Sequence, residues 1–122
     1  MTFNLNKFYK DYKQIIQRTP EWYAKRKTLI TATDVGTILG HNHFCNKNDL
    51  LNKKKNADEN VIMNSAIEHG NKFESIATNC YNKIFNTVIH ETGLIIHKKL
   101  DWLGASPDGI TSQGRLIEIK CP

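Results

Sequence analysis

Apolar side chains in the first segment recur at helical spacing. Leu5, Phe8, Tyr12, Ile15 and Ile16 fall on one stripe, which predicts an amphipathic helix over residues 3–17. Thr19-Pro20-Glu21 restarts the pattern, with Thr as N-cap, Pro at the first helical position and an acid in the first turn. That places Trp22 and Arg26 on a short second helix. Thr31 with Asp34 three residues later has the form of a capping box and opens a third helix, which Gly40 closes. Asn48 can cap a fourth, short helix through Leu50, Leu51 and Lys54. The longest helix is predicted over residues 64–85, with Phe73, Ala77, Cys80, Tyr81 and Ile84 as its buried stripe. Gly70 inside it costs about 1 kcal/mol in helix propensity, which suggests close approach of another backbone or a ligand. Glu74 lies one turn further on the same side.

After Asn86 the period shortens to that of a strand. Residues 87–91, 93–97, 102–105 and 115–121 are apolar or β-branched runs broken by Gly, Lys-Lys and Pro-Asp-Gly. They predict an antiparallel meander. Helices, a long helix and then strands make one α+β or mixed α/β layer domain, with no internal repeat. A chain of 122 residues leaves room for no more than one domain.

Composition refines this picture. The 39% apolar content suits a modest core, and only residues 56–60 read as flexible. The formal charge of +5 is uneven: residues 1–60 hold eleven Lys/Arg against six Asp/Glu, and residues 61–122 hold six of each. A basic first half suits contact with a polyanion. The three cysteines form no CxxC pair, no apolar leader opens the chain, and no apolar run approaches the roughly 20 residues of a membrane span. The chain therefore reads as intracellular and reduced, neither secreted nor membrane-bound. His41, His43 and Cys45 lie close together, but without a second ligand cluster they read as a loop.

The densest chemistry lies at Ser106-Pro107-Asp108-Gly109 and Leu116-Ile117-Glu118-Ile119-Lys120-Cys121-Pro122. On a strand, Glu118 and Lys120 share one face while Ile117 and Ile119 take the other. If Asp108 ends the preceding strand, its carboxylate can meet that of Glu118. Two carboxylates and an ammonium converging there can hold a divalent metal beside a phosphate. Plainer readings exist for each residue. Asp before Gly is a natural turn, Lys120 can be only the ion-pair partner of Glu118, and Arg26 sits in the basic run Lys25-Arg26-Lys27. Thr31 and Thr33 can be helix caps, and Trp22 reads as core.

Three blocks taken together go further: residues 22–35, His69-Gly70-Asn71-Lys72-Phe73-Glu74, and the Asp108 to Lys120 segment. In this order and spacing they resemble the YqaJ-type viral recombinase family, the lambda-phage exonuclease-like branch of the PD-(D/E)xK nuclease superfamily, over residues 20–122. The resemblance implies a restriction-endonuclease-like core: N-terminal helices, a long helix and an antiparallel-led mixed sheet. It divides the chain into a helical arm (1–18), phosphate- and DNA-binding helices (19–63), and a helix with metal-site strands (64–122). It implies that Asp108, Glu118, the Ile119 carbonyl and Glu74 ligate Mg²⁺ or Mn²⁺, with two ions. Lys120 would activate water, its pKa lowered beside metal and apolar neighbours. Arg26, with Thr33 and Thr31, would bind a terminal 5′-phosphate.

The activity implied is 5′-to-3′ exonuclease action on double-stranded DNA ends, in viral-type recombination or repair. Implied partners are a single-strand annealing protein and further copies in a ring-shaped trimer, with a virus- or phage-encoded protein acting in the host cell. Members of the family continue beyond the Glu-x-Lys strand, so the chain reads as C-terminally truncated. The alternative is a catalytically inactive or split-gene fragment acting as a DNA-binding or assembly module. A restriction-type endonuclease shares the same metal site.

Overall fold

A computed structural model describes residues 2–56 and 65–122. The elements are α1 (Leu5–Asp11), β1 (Gln14–Ile15), α2 (Pro20–Lys27), β2 (Ile30–Thr31), α3 (Ala32–Ile38), α4 (Lys47–Lys55), α5 (Ser65–Phe85), β3 (Ile89–His90), β4 (Leu94–Ile96), β5 (Leu103–Ala105), β6 (Gly109–Thr111) and β7 (Leu116–Ile117). The strands form two small sheets, ordered β1-β4-β5-β2 and β3-β6-β7. Every pairing is antiparallel except β2 with β5. The mixed α/β character matches the expected class.

Local signals placed α2 and α3 well. The Thr19 hydroxyl accepts the Trp22 N–H and opens α2. At α3, Asp34 reaches back to the Thr31 N–H at 2.8 Å. Gly40, at φ 78°, closes α3, with the His41 N–H on the Gly36 carbonyl and the Gly40 N–H on that of Thr37. These two bonds satisfy carbonyls the helix end leaves open.

Other expectations change. The first helix stops at Asp11, and Gln14 and Ile15 pair with Ile95 and Leu94 instead. Burying Ile15 with Leu29 and Leu94 in the core, against Trp22 and Ile96, decides that switch. Ile16, expected on the same stripe, is 74% exposed. The cap of α4 is Asn46 rather than Asn48, since the Asn46 side chain accepts the Asp49 N–H while Asp49 bonds the Asn46 N–H. Of the segment expected to be flexible, residues 57–60 lie outside the described residues, as do Asn64 at the start of the long helix and the stretch before it.

The expected meander is two interleaved sheets. β3 pairs with β6, a strand formed by Gly109–Thr111 just past the Pro-Asp-Gly turn, while β4 pairs with β1 and β5. On α5, Phe73, Ala77 and Tyr81 are half-buried, but Cys80 is exposed and Ile84 is 74% exposed. Among the described residues, a Cβ on Gly70 would meet nothing within 4 Å, so no other described backbone closes on it. Gly109 does require its missing side chain: a Cβ there would lie 2.4 Å from the Ile89 methyl and 3.0 Å from the His90 carbonyl. That close approach of β6 to β3 fixes the position of Asp108, the preceding residue.

Candidate active site

Asp108 sits at the entry to β6, held from both sides. Its N–H donates to the Ile117 carbonyl at 3.1 Å. Its Oδ2 accepts the Ile119 N–H at 2.6 Å. The side chain thus continues the β6–β7 pairing past Ile117, where the backbone ladder ends. Burial raises the Asp108 carboxyl above its ordinary value. The Ile119 N–H opposes this, Glu118 and Glu74 add to it, and Lys120 partly offsets them. The charges of Glu118, Glu74 and Lys120 are thus all felt at Asp108. Two carboxylates and a desolvated third make a negative field that attracts a cation.

Each charge already has a partner. The Lys120 ammonium bonds the Glu118 carboxylate, although β7 ends at Ile117, short of the strand expected over residues 115–121. Arg18 Nη2 lies 3.1 Å from Glu74 Oε2. Among the described residues, no three His, Cys, Asp or Glu side chains are grouped closely enough to hold one metal ion. The oxygen-rich donor set fits the chemistry of Mg²⁺. Glu74 and Glu118 are each engaged by a cation instead, Arg18 and Lys120 respectively. Lys120 also departs from expectation. The hydrogen bond it donates to Glu118 raises its pKa, burial opposes this, and the charges of Glu118 and Asp108 add to the rise. It is an ammonium here, not a depressed lysine, because it is 80% exposed and faces two acids.

Two clefts flank this center. A cavity of about 320 Å³ is lined by Gln14, Gln17, Arg18, Glu74, Glu91 and Asp108, among others. A second, of about 370 Å³, is lined by Arg26, Thr33, Ser106, Glu118 and Lys120 with Ala32, Ala105 and Pro107. The expected phosphate residues Arg26 and Thr33 thus share a cleft with the Glu118–Lys120 pair. Thr31 does not line it. It is 1% exposed, and its hydroxyl donates to Asp34 Oδ2 at 2.9 Å. Its role is to set the start of α3, on which Thr33 stands.

Trp22 is core and platform at once. It packs against the Ile15–Leu29–Leu94 cluster. The Arg26 guanidinium carbon lies 4.4 Å from its ring center, and its Nε1–H donates to the Ser106 hydroxyl at 3.0 Å. One indole therefore orients both a cation and a hydroxyl toward the second cleft. Burial lowers the Arg26 pKa, while Asp34 and Tyr23 raise it; a guanidinium stays charged throughout.

Sequence reading missed Arg18, Gln17, Ser106 and Lys54. Gln17 Nε2 donates to the Thr92 and Pro107 carbonyls at 3.0 and 2.8 Å, tying the turn before Asp108 to the N-terminal arm. The arm is thus part of the site. Only Ser106, beside Pro107-Asp108, stood in a segment already singled out.

Comparison with known proteins bears on the family and the fold. The model of the YqaJ-like viral recombinase domain matches residues 21–122. The R354 protein of Acanthamoeba polyphaga mimivirus is 32% identical over 124 residues, which cover 93% of this chain and 23% of that protein. An alkaline exonuclease from Laribacter hongkongensis, LHK-Exo, superposes with a TM-score of 0.68 at 30% identity, over 85% of this chain and 54% of that one. The same enzyme in complex with dAMP gives 0.67 at 32% identity, with the same coverage. The chain spans about half the length of the solved exonuclease and about a quarter of the mimivirus protein. No helix among the described residues is long and apolar enough to cross a membrane. On the match over residues 21–122, the chain belongs to the YqaJ-like viral recombinase domain family.

Proposed function

We propose that the chain carries the active site of a Mg²⁺-dependent deoxyribonuclease that degrades double-stranded DNA from a 5′ end, in viral-type recombination. The observation that carries this reading is the position of Asp108, fixed by the Ile119 N–H next to the Glu118–Lys120 pair and lining one cleft with Glu74. Beside it lies a cleft that offers Arg26, Thr33 and Ser106. Family membership and the exonuclease activity named for LHK-Exo support it.

Asp108, Glu118, the Ile119 carbonyl and Glu74 would hold one or two Mg²⁺ ions, with Mn²⁺ as a substitute. Bound there, such ions polarise the scissile phosphate and lower the pKa of water. The chain's own residues do the rest. Arg26 presents a planar fork of donors suited to a terminal phosphate, its orientation fixed by Trp22. Thr33 and Ser106 add hydroxyls on the same cleft. Lys120, held as an ammonium by Glu118, stabilises charge on the phosphate, and it can take up a water proton only after losing its own. The Ile119 N–H keeps one Asp108 oxygen in place, so the other is free to turn toward the cleft.

The test offers linear duplex DNA and Mg²⁺ to the purified chain and to Asp108→Ala and Lys120→Ala variants. Loss of cleavage in both is expected, and persistent cutting by Asp108→Ala overturns the site. Efficient cutting of closed circular DNA contradicts end-directed action. A second reading follows from the two ion pairs that occupy the acids and from the 54% coverage of the exonuclease. In it the chain binds duplex DNA, with the salt sensitivity of phosphate contacts, and cuts nothing with Mg²⁺ or Mn²⁺.

A further inference from the structure

Lys54 is the cation most fully enclosed by acceptors among the described hydrogen bonds. Its Nζ lies 2.8 Å from Asp34 Oδ2, 2.7 Å from the Leu29 carbonyl and 3.1 Å from the Arg26 carbonyl. An ammonium has three protons, and here each has an acceptor. The acceptors come from three places. Arg26 is in the last turn of α2, Leu29 precedes β2, and Asp34 is in the first turn of α3. The Arg26 carbonyl also accepts the Leu29 N–H at 3.3 Å and lies at the C-terminal end of α2, where a positive charge is favourable. Asp34 Oδ2 in turn receives the Thr31 N–H and hydroxyl. A single side chain from α4 thus ties together the two elements that carry Arg26 and Thr33.

The same contact has an electrostatic effect. Asp34 is 8% exposed and acts on the charge of Arg26. Without Lys54, a buried carboxylate would stand unpaired beside the guanidinium expected to grip an anion. It would repel that anion and compete for Arg26. We propose that Lys54 is a positioning residue for 5′-phosphate recognition, which both anchors the Arg26 turn and neutralises Asp34 so that Arg26 stays available. This rests on the reading of Arg26 as a phosphate ligand.

The experiment measures binding rather than cleavage. A fluorescein-labelled DNA hairpin with one open duplex end, carrying a 5′-phosphate or a 5′-hydroxyl, is titrated in Ca²⁺ by anisotropy. The wild-type chain is expected to prefer the phosphate end by about tenfold, as for a charge-assisted hydrogen-bond pair. In Lys54→Met the preference falls to within about twofold of unity. In the double variant Asp34→Asn/Lys54→Met it recovers toward wild type, because no orphan carboxylate remains. If Lys54→Met does not fold, Lys54→Gln is read in its place, with the same expected loss. Equal affinity of wild type for both ends overturns the phosphate reading of Arg26, and the inference with it. A wild-type preference that survives in Lys54→Met or Lys54→Gln overturns the role of Lys54 alone, and a double variant that stays at the single variant's ratio overturns the neutralisation of Asp34 as part of that role.

Discussion

The Arg18 guanidinium reaches the Glu74 carboxylate at 3.1 Å, from a residue whose backbone stands in the left-handed region at φ 63°. A side chain other than glycine at such an angle costs roughly 1–2 kcal/mol. The N-cap of α2 follows immediately, with the Thr19 hydroxyl also donating to the Ile16 carbonyl. The turn therefore aims Arg18 into the cleft that Glu74 and Asp108 line.

A resident cation at Glu74 competes with any divalent ion that needs the same oxygens. Exposed ion pairs are worth about 1 kcal/mol or less, so the competition is mild. Arg18→Gln is expected to tighten Mn²⁺ binding by about threefold to fivefold in calorimetric titration. Unchanged or weaker binding would show that Arg18 does not contest the site.

Asp108 shows a conflict between stability and function. Its folded pKa is raised, so the ionised form is disfavoured on folding. The sign follows directly: the cost is complete above the raised folded value, shrinks as pH falls from there toward the ordinary 3.8, and is absent below 3.8. Asp108→Asn should therefore unfold at a higher temperature than wild type at pH 7, and the difference should vanish in acid. A lower melting temperature at pH 7 would contradict the raised value.

Asp34 behaves in the opposite way. Burial pushes its carboxyl up, but hydrogen bonds from Lys54 and Thr31 outweigh that and hold it below its ordinary value. Its contribution to stability is complete above pH 3.8 and is lost as pH falls through the lower, folded value. Wild type should exceed Asp34→Asn in urea midpoint at neutral pH, with the gap closing only in strong acid. A gap that closes between pH 5 and 7 would place the titration elsewhere.

Gly109→Ala tests the packing that sets Asp108. The added methyl meets Ile89 and the His90 carbonyl, one of them backbone. Overpacking of this kind costs about 1–3 kcal/mol. The chain should lose that much in denaturant unfolding, along with duplex cleavage. A variant as stable as wild type would show that β3 and β6 have room to separate.

Much of the site was legible in the sequence because its signals are local. Thr19, Asp34 and Gly40 each act within a few residues, and capping chemistry is the same wherever the helix lies. Glu118 and Lys120 pair although β7 stops at Ile117, before both of them. The unread parts depend on which distant segments meet. Leu5, Phe8, Tyr12 and Ile15 fit a continuous helix equally well; only the arrival of Leu94 and Ile95 beside Gln14 and Ile15 makes a strand. Lys54 looked like one of three consecutive lysines, and nothing nearby announces that Asp34, 20 positions earlier, would enclose it. Cys80 and Ile84 followed the helical period but are exposed, since periodicity names a face and not its cover.

The most direct measurement is anomalous scattering from a crystal of the chain grown with Mn²⁺. The account predicts a peak at about 2.1 Å from carboxylate oxygens of both Asp108 and Glu118, with Glu74 turned from Arg18 toward the ion. Ordered carboxylates still paired to Arg18 and Lys120 at millimolar Mn²⁺, with no peak between them, would contradict it.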